Sequence, residues 1–343
     1  MSDGSGIERR EQPGEDVFLG ALLGLAIGDA LGMPGGNGGR TNPEEPLTGY
    51  EALTRVDGST VDAGEFTDES EIVLSIVEVA TTDRGRLDAD LIGYRLVRLA
   101  LGESAVWQDE STRAALVRAD ETQDFQVPID EDGPVSAPVA VRGLPVGLLA
   151  SIGDVDRAAM RDDADLVTRL THGSPAQANA VLAVAELVRL AAKRERPASE
   201  WAAATAELLG AGAMHDVLAG LIVEADPQAQ VARLAAGSPE EQVAAGLIAA
   251  IGTDSFEAAV LRAAGSGGKA DAIAAIAGGI TGAWAGAGAI PQWLIDGLGG
   301  RIYVSLSAPW FRRAALYRAG VVRDLPMDGG GSPPPRPSFP PRQ

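Results

Sequence analysis

The sequence predicts an all-α fold, and three observations carry that prediction. Helix-start signals recur along the whole chain, no segment alternates apolar and polar residues as a strand would, and residues 263–293 read as one buried central helix behind a glycine loop. That last stretch is AAGSGGKADAIAAIAGGITGAWAGAGAIPQW, with Ile273, Ile276, Ile280 and Trp284 at three- and four-residue steps. Gly278, Gly279, Gly282 and Gly286 would each cost helix stability, by about 1 kcal/mol relative to Ala, unless other backbones pack closely against them. This helix is therefore expected at the centre. Lys269 at its N-terminus opposes the helix dipole, so carboxylates are expected around it.

The other elements follow in order. Residues 1–15 are polar and expected to form a disordered arm, and the all-α domain to span 16–321. Residues 16–32, DVFLGALLGLAIGDALG, form an apolar helix, and Asp29 near its end either faces water or serves a site. A long loop rich in Gly and Pro then runs from Met33 to Phe66. Thr67 caps the next helix, with Asp68, Glu69 and Glu71 in its first turn and Ile72, Val73, Ile76 and Val77 as its apolar face. Further helices are expected at 87–102 and 109–119, then an acidic loop at 120–133 and an apolar stretch at 134–151 broken by Pro134, Pro138 and Pro145. Asp154 or Asp156 caps a helix reaching Leu170, and Ser174-Pro175 opens another over 175–194. The remaining helices fall at about 198–210, 213–225, 239–251, 255–264 and 301–320, before a Pro-rich tail over 322–343 that reads as disordered or as a docking peptide.

Composition narrows the function. The chain has 343 residues, 45% of them hydrophobic, and a formal charge of −20 from 28 basic and 48 acidic side chains. Such a charge repels nucleic acid and anionic membranes and leaves carboxylates available to hard cations. There is no Cys, which excludes disulfides, thiolate metal sites and Cys nucleophiles. The N-terminus lacks the apolar core of a signal peptide and no stretch reads as a spanning helix, so the expected location is the cytoplasm of a microbial cell.

Three segments carry the chemistry: GALLGLAIGDALGMP from Gly20, FTDES from Phe66, and GGKADA from Gly267, followed by Ile290-Pro291-Gln292-Trp293. Together, in this order, they resemble the ADP-ribosylglycohydrolase family (dinitrogenase reductase-activating glycohydrolase-like) over about residues 17–300. The resemblance implies an all-α fold that cleaves ADP-ribose from modified groups at a centre of two magnesium or manganese ions. The family's Thr-Asp-Asp-Thr run appears here as Thr67, Asp68, Glu69 and Ser70. Its Gly-Gly-Asp-x-Asp-Thr motif appears as Gly267, Gly268, Lys269, Ala270, Asp271 and Ala272. One family metal set survives as Thr67, Asp68, Glu69 and Asp271; the other has lost its first Asp to Lys269 and its Thr to Ala272.

Physics then allows two states. The four surviving oxygen ligands can hold one Mg²⁺, with Mn²⁺ or Ca²⁺ as alternatives, while the Lys269 ammonium replaces the second ion; or the lysine expels both metals. Other departures concern substrate. The family's Glu after Gly-Asp-Ala-Leu-Gly is absent, Pro34 being followed by Gly35, Gly36 and Asn37, and its Gly-rich loop is reduced to Ser136–Val141 and Arg142, with Pro138 intruding. Thr171-His172 matches a family pair, whereas His215 reads as an ordinary helix residue. The resemblance thus nominates Asp68 and Glu69 as catalytic, and Asp29, Arg142, His172, Gly267 and Gly268 as substrate-binding. The expected function is hydrolysis of an ADP-ribosyl N- or O-glycosidic bond at a reduced, one-metal site, with a small-molecule or ADP-ribosylated substrate. The alternative is an inactive relative that binds ADP-ribose or a related nucleotide, or acts as a scaffold, with a protein partner reached through the Pro-rich tail.

Overall fold

The computed structural model describes residues 12–38, 47–55, 58–100, 110–154 and 156–322. Most of the 1–15 arm and of the 322–343 tail lies outside these residues. Gln12 and Pro13 are described and pinned: Gln12 Oε1 accepts from the Gly153 amide at 2.7 Å, and Pro13 O accepts from Arg312 Nε at 2.7 Å.

Helix α1 (Glu15–Gly36) and helix α14 (Ala270–Ala285) form the centre of the molecule, packed antiparallel along their lengths. Glycines at every fourth position of α1, from Gly20 to Gly32, make one bare ridge. A methyl group on Gly20, Gly24, Gly28 or Gly32 would overlap the carbonyls of Gly282, Gly278, Ala274 or Ala270. Backbone therefore lies on backbone, and the glycines that weaken α14 as a helix are what let α1 approach it. Nearly every side chain of both helices is buried. Trp284, expected on the buried face, is instead 39% exposed.

Helix α1 runs four residues beyond its expected end. Pro34 removes only one late intrahelical bond, and Asn37 Nδ2 donates to Met33 O at 2.9 Å, satisfying a carbonyl of the last turn. By length and composition α1 could cross a membrane, contrary to the reading that no stretch could; here 94% of its apolar window is buried inside the fold.

Around this pair lie α2 (Asp68–Thr82), α3 (Ala89–Ala100), α4 (Glu110–Thr122), α5 (Ala137–Ala140), α6 (Gly143–Ala150), α7 (Arg157–Arg169) and α8 (Pro175–Lys193). They continue with α9 (Trp201–Leu209), α10 (Ala213–Ala219), α11 (Pro227–Ala235), α12 (Pro239–Ile251), α13 (Phe256–Ala264), α15 (Gln292–Gly297) and α16 (Arg301–Arg318). Of the caps read from sequence, Ser174 and Asp156 accept from backbone amides of their first turns, whereas Thr67 makes no side-chain cap bond; Ser255, and Ser238 with Glu241 as a full capping box, are further caps. Three elements differ from expectation. The helix expected over 213–225 stops at Ala219, with α11 starting at Pro227 behind its own cap, Asp226. The prolines of 134–151 divide that stretch into α5 and α6 without abolishing it, because Pro138 and Pro145 fall in first turns. A two-residue hairpin pair, β1 (Leu53–Thr54) and β2 (Thr60–Val61), interrupts the loop before α2 and leaves the fold all-α.

Candidate functional site

The antiparallel docking of α1 and α14 brings the C-terminal end of one to the N-terminal end of the other, and α2 starts beside them. Asp29, fully buried in α1, holds that start in place. Its Oδ2 accepts from the amides of Thr67 at 3.0 Å and Ser70 at 3.1 Å and from Ser70 Oγ at 2.6 Å, while Oδ1 accepts from Thr67 Oγ1 at 2.8 Å. Asp29 is thus the N-terminal cap of α2, supplied from another helix. It does not face water, and both of its oxygens are engaged by α2. Ser70, read in the sequence only as the last member of the matched run, makes half of this anchor.

The remaining carboxylates gather above Asp29. Glu69 is buried, with Oε2 hydrogen-bonded to Thr67 Oγ1, and Asp68 is half-buried at the first position of α2. Asp271 is buried in the first turn of α14, accepting from the Ala272 amide at 2.9 Å and from Asn37 Nδ2 at 3.1 Å. Gly36 lies against it so closely that any β-carbon there would strike the carboxyl group. Sequence reading took Gly36 and Asn37 only as a departure from the family's Glu; the four-residue glycine step of α1, continued to position 36, is the signal that places both at the site.

Three of these acids, Asp29, Asp68 and Asp271, hold their protons more tightly than usual. Burial, then the charge of Glu69, raises Asp29, against which the bonds from Ser70 and Thr67 act. Burial followed by Glu69, Asp29 and Asp271 raises Asp68. Asp271 is pushed up to about 7, first by burial and then by Glu69; the Ala272 amide, Lys269 and Asn37 pull the other way.

The Lys269 charge reaches Asp271, and the side chain is exposed and forms no ion pair among the described residues. Its awkward helix position has a simpler source: the carbonyl end of α1 lies alongside, and the two opposed dipoles offset one another.

The donors suit a hard divalent ion in kind, being oxygen only and in excess of nearby cations. In position they do not. Among the described residues, no group of three or more His, Asp or Glu side chains is placed to hold a metal ion. The expected ligand set of Thr67, Asp68, Glu69 and Asp271 is therefore gathered but not arranged around a common point, and three of its members, Thr67, Glu69 and Asp271, are occupied by bonds within the protein.

Arg142 is buried beside this cluster and donates to Thr171 Oγ1 at 2.7 Å and Val167 O at 3.2 Å. With Asp68, Glu69, Ile72, Thr112, Pro138 and Val139 it lines a cavity of about 10 Å³, room for about one water. Pro138, the residue that breaks the expected glycine loop, forms part of its wall. His172 is buried one residue on, its Nδ1 bonded to Thr171 Oγ1 at 2.9 Å. Gly267 and Gly268 both adopt positive φ ahead of α14; Gly267 borders open space, whereas Gly268 packs against the Ala235 carbonyl, a structural reason for glycine there. His215 is bonded through Nδ1 to Asp216 Oδ1 at 2.9 Å.

Comparison with known proteins fits this arrangement. The family model for ADP-ribosylglycohydrolase matches residues 10–324. The chain belongs to the ADP-ribosylglycohydrolase family. A solved structure described as an ADP-ribosylglycohydrolase-related protein complex superposes with a TM-score of 0.66 at 27% identity, covering 89% of this chain and 98% of that one. An uncharacterized Escherichia coli (strain K12) protein, YegU, is 27% identical over 192 residues, which is 54% of this chain and 56% of that protein. ADP-ribosylglycohydrolases are typically metal-dependent, so the gathered but unarranged donors are the point at which this member needs testing.

Proposed function

We propose that the protein hydrolyses an N- or O-glycosidic bond of an ADP-ribosyl group, slowly, at a reduced site in which its own carboxylates do most of the chemistry. One observation carries this reading: Asp68, Glu69 and Asp271, from two helix N-termini, crowd together with raised proton affinity at Asp68 and Asp271. A half-buried carboxyl group whose proton affinity is raised is suited to protonate a departing oxygen or nitrogen. Asp68 would take that role. Glu69 would receive the proton of an attacking water or steady the positive charge that builds at the anomeric carbon, and Arg142, in the wall of the same cavity, would orient the phosphate side. A single hard cation, Mg²⁺ first, is the candidate cofactor, because added positive charge is what the cluster lacks; no step above depends on it.

A second reading, a relative that binds ADP-ribose or a related nucleotide without turnover, is favoured by the carboxylates, no three of which among the described residues are placed to hold a metal ion. One set of assays separates the two. ADP-ribosylated arginine, ADP-ribosylated serine and O-acetyl-ADP-ribose are incubated with wild type and Asp68→Asn, in EDTA and in Mg²⁺. Release of ADP-ribose by wild type, reduced at least tenfold by Asp68→Asn, supports hydrolysis. Calorimetric binding of ADP-ribose without release from any substrate supports the binding protein and overturns the hydrolase.

A further inference from the structure

The opposite end of α14 offers a site of a different kind. Where α12 and α14 end and α13 begins, a cavity of about 450 Å³ opens, within the ~300–1,000 Å³ range of small-molecule pockets. Trp201, Phe256, Ile280 and Trp284 form its apolar walls, with Thr281 and Asp254 among its polar residues. At 1.5 Å per residue, Thr281 lies about 15 Å along α14 from Asp271, so this cavity is separate from the carboxylate cluster.

Its decisive feature is the Thr281 hydroxyl. Thr281 is 8% exposed, and its Oγ1 is buried with no hydrogen-bond partner. A helical threonine ordinarily bonds the carbonyl four residues back, as Thr168 does to Ala164 O at 2.7 Å in this same chain. Thr281 leaves that bond unmade in a cavity wall. An unpaired buried hydroxyl is costly, and a ligand that bonds to it recovers the loss. Thr205, whose hydroxyl is also unpartnered, is not in this wall.

The walls limit what can enter. Trp284 presents a half-exposed indole, held edge-to-face on Trp201 with ring centroids 5.4 Å apart and covered in part by the Arg194 guanidinium at 5.7 Å. A flat aromatic ring suits that surface. Asp254 is exposed and forms no ion pair among the described residues, and no basic side chain lines the cavity. In a chain of charge −20 this disfavours an anion and favours a ligand carrying N–H donors.

We propose that this cavity binds a small planar heteroaromatic amine or amide, neutral or cationic, its ring against Trp284 and Phe256. A ring nitrogen or carbonyl meets the Thr281 hydroxyl, and an exocyclic N–H faces Asp254.

Tryptophan fluorescence of the full chain, titrated with adenine, benzamidine and benzoate, tests this. Adenine or benzamidine should quench saturably and benzoate should not. Thr281→Val, which keeps the shape and removes the hydroxyl, should weaken adenine binding about tenfold, the change that about 1.4 kcal/mol for one lost hydrogen bond produces. Its thermal midpoint should equal or exceed that of wild type, which separates lost binding from lost folding. Asp254→Asn should weaken benzamidine more than adenine. Saturation by neither nitrogen ligand, equal binding of benzoate and benzamidine, or undiminished adenine binding by Thr281→Val would each overturn the assignment. The last result would also arise if adenine bound only at the carboxylate site.

Discussion

Asp271 shows how one residue couples folding to pH at this site. Its carboxyl titrates at about 7 in the folded protein against an ordinary 3.8, so between those values the native state holds the extra proton. Stability from this group is therefore complete below about pH 4, falls as the pH rises towards 7, and stays low above it. A shift of about three units corresponds to at most ~4 kcal/mol. Asp271→Asn should accordingly raise stability at pH 8 by about 2 kcal/mol while changing little at pH 4, measured by urea unfolding in EDTA. Equal effects at the two values would show that the carboxylate is not destabilised by its neighbours. Gly36→Ala probes the same group sterically. Its new methyl would meet the Asp271 carboxyl group, so the acid must swing away from Asn37. Glycosidic activity, where present, should fall at least tenfold, while unfolding shifts by no more than about 1–3 kcal/mol.

At the scale of elements, the α1–α14 pair decides the site. Bare ridges let the two backbones touch, and that contact fixes the levels of Asp29, Gly36 and Asn37 relative to Asp271. Gly28→Ala would force a methyl into the Ala274 carbonyl and should cost more than about 3 kcal/mol, or prevent folding. Gly288→Ala, at a position where a methyl would meet nothing, should change stability by less than about 0.5 kcal/mol. Circular dichroism melts of the two variants give the comparison, and similar midpoints would refute the close-contact account. The need for such packing was legible in the glycines of α14 alone. The partner helix was not, since the matching four-residue step in α1 becomes informative only when the two are read as a pair.

Across the whole molecule, charge and core pull in different directions. A formal charge of −20 repels itself over a surface that few basic side chains interrupt, whereas the α1–α14 centre is almost wholly apolar. Raising NaCl from 0.05 to 0.5 M should therefore raise the thermal midpoint, because the Debye length falls from about 14 Å to about 4 Å. The Asp29–Asp68–Glu69–Asp271 cluster, being mostly buried, should respond much less to NaCl than to Mg²⁺. A midpoint that rises with Mg²⁺ at constant ionic strength, and no longer does so in Asp271→Asn, would locate the bound ion at the cluster.

The sequence by itself determined the all-α class, most helix starts and the family. Those rest on local chemistry: a serine or aspartate cap and an apolar step are contained within a few residues. It also named the acids of the site, because the motifs FTDES and GGKADA keep their order in the chain. Only the tertiary structure decided what each acid does. Asp29 is a cap because α2 begins against it, Lys269 is exposed beside the end of α1, and Asp271 holds its proton because packing buries it and then because Glu69 lies nearby. Each of those outcomes depends on groups from different helices, and the distance between them is set by packing over the entire core, which no local pattern encodes.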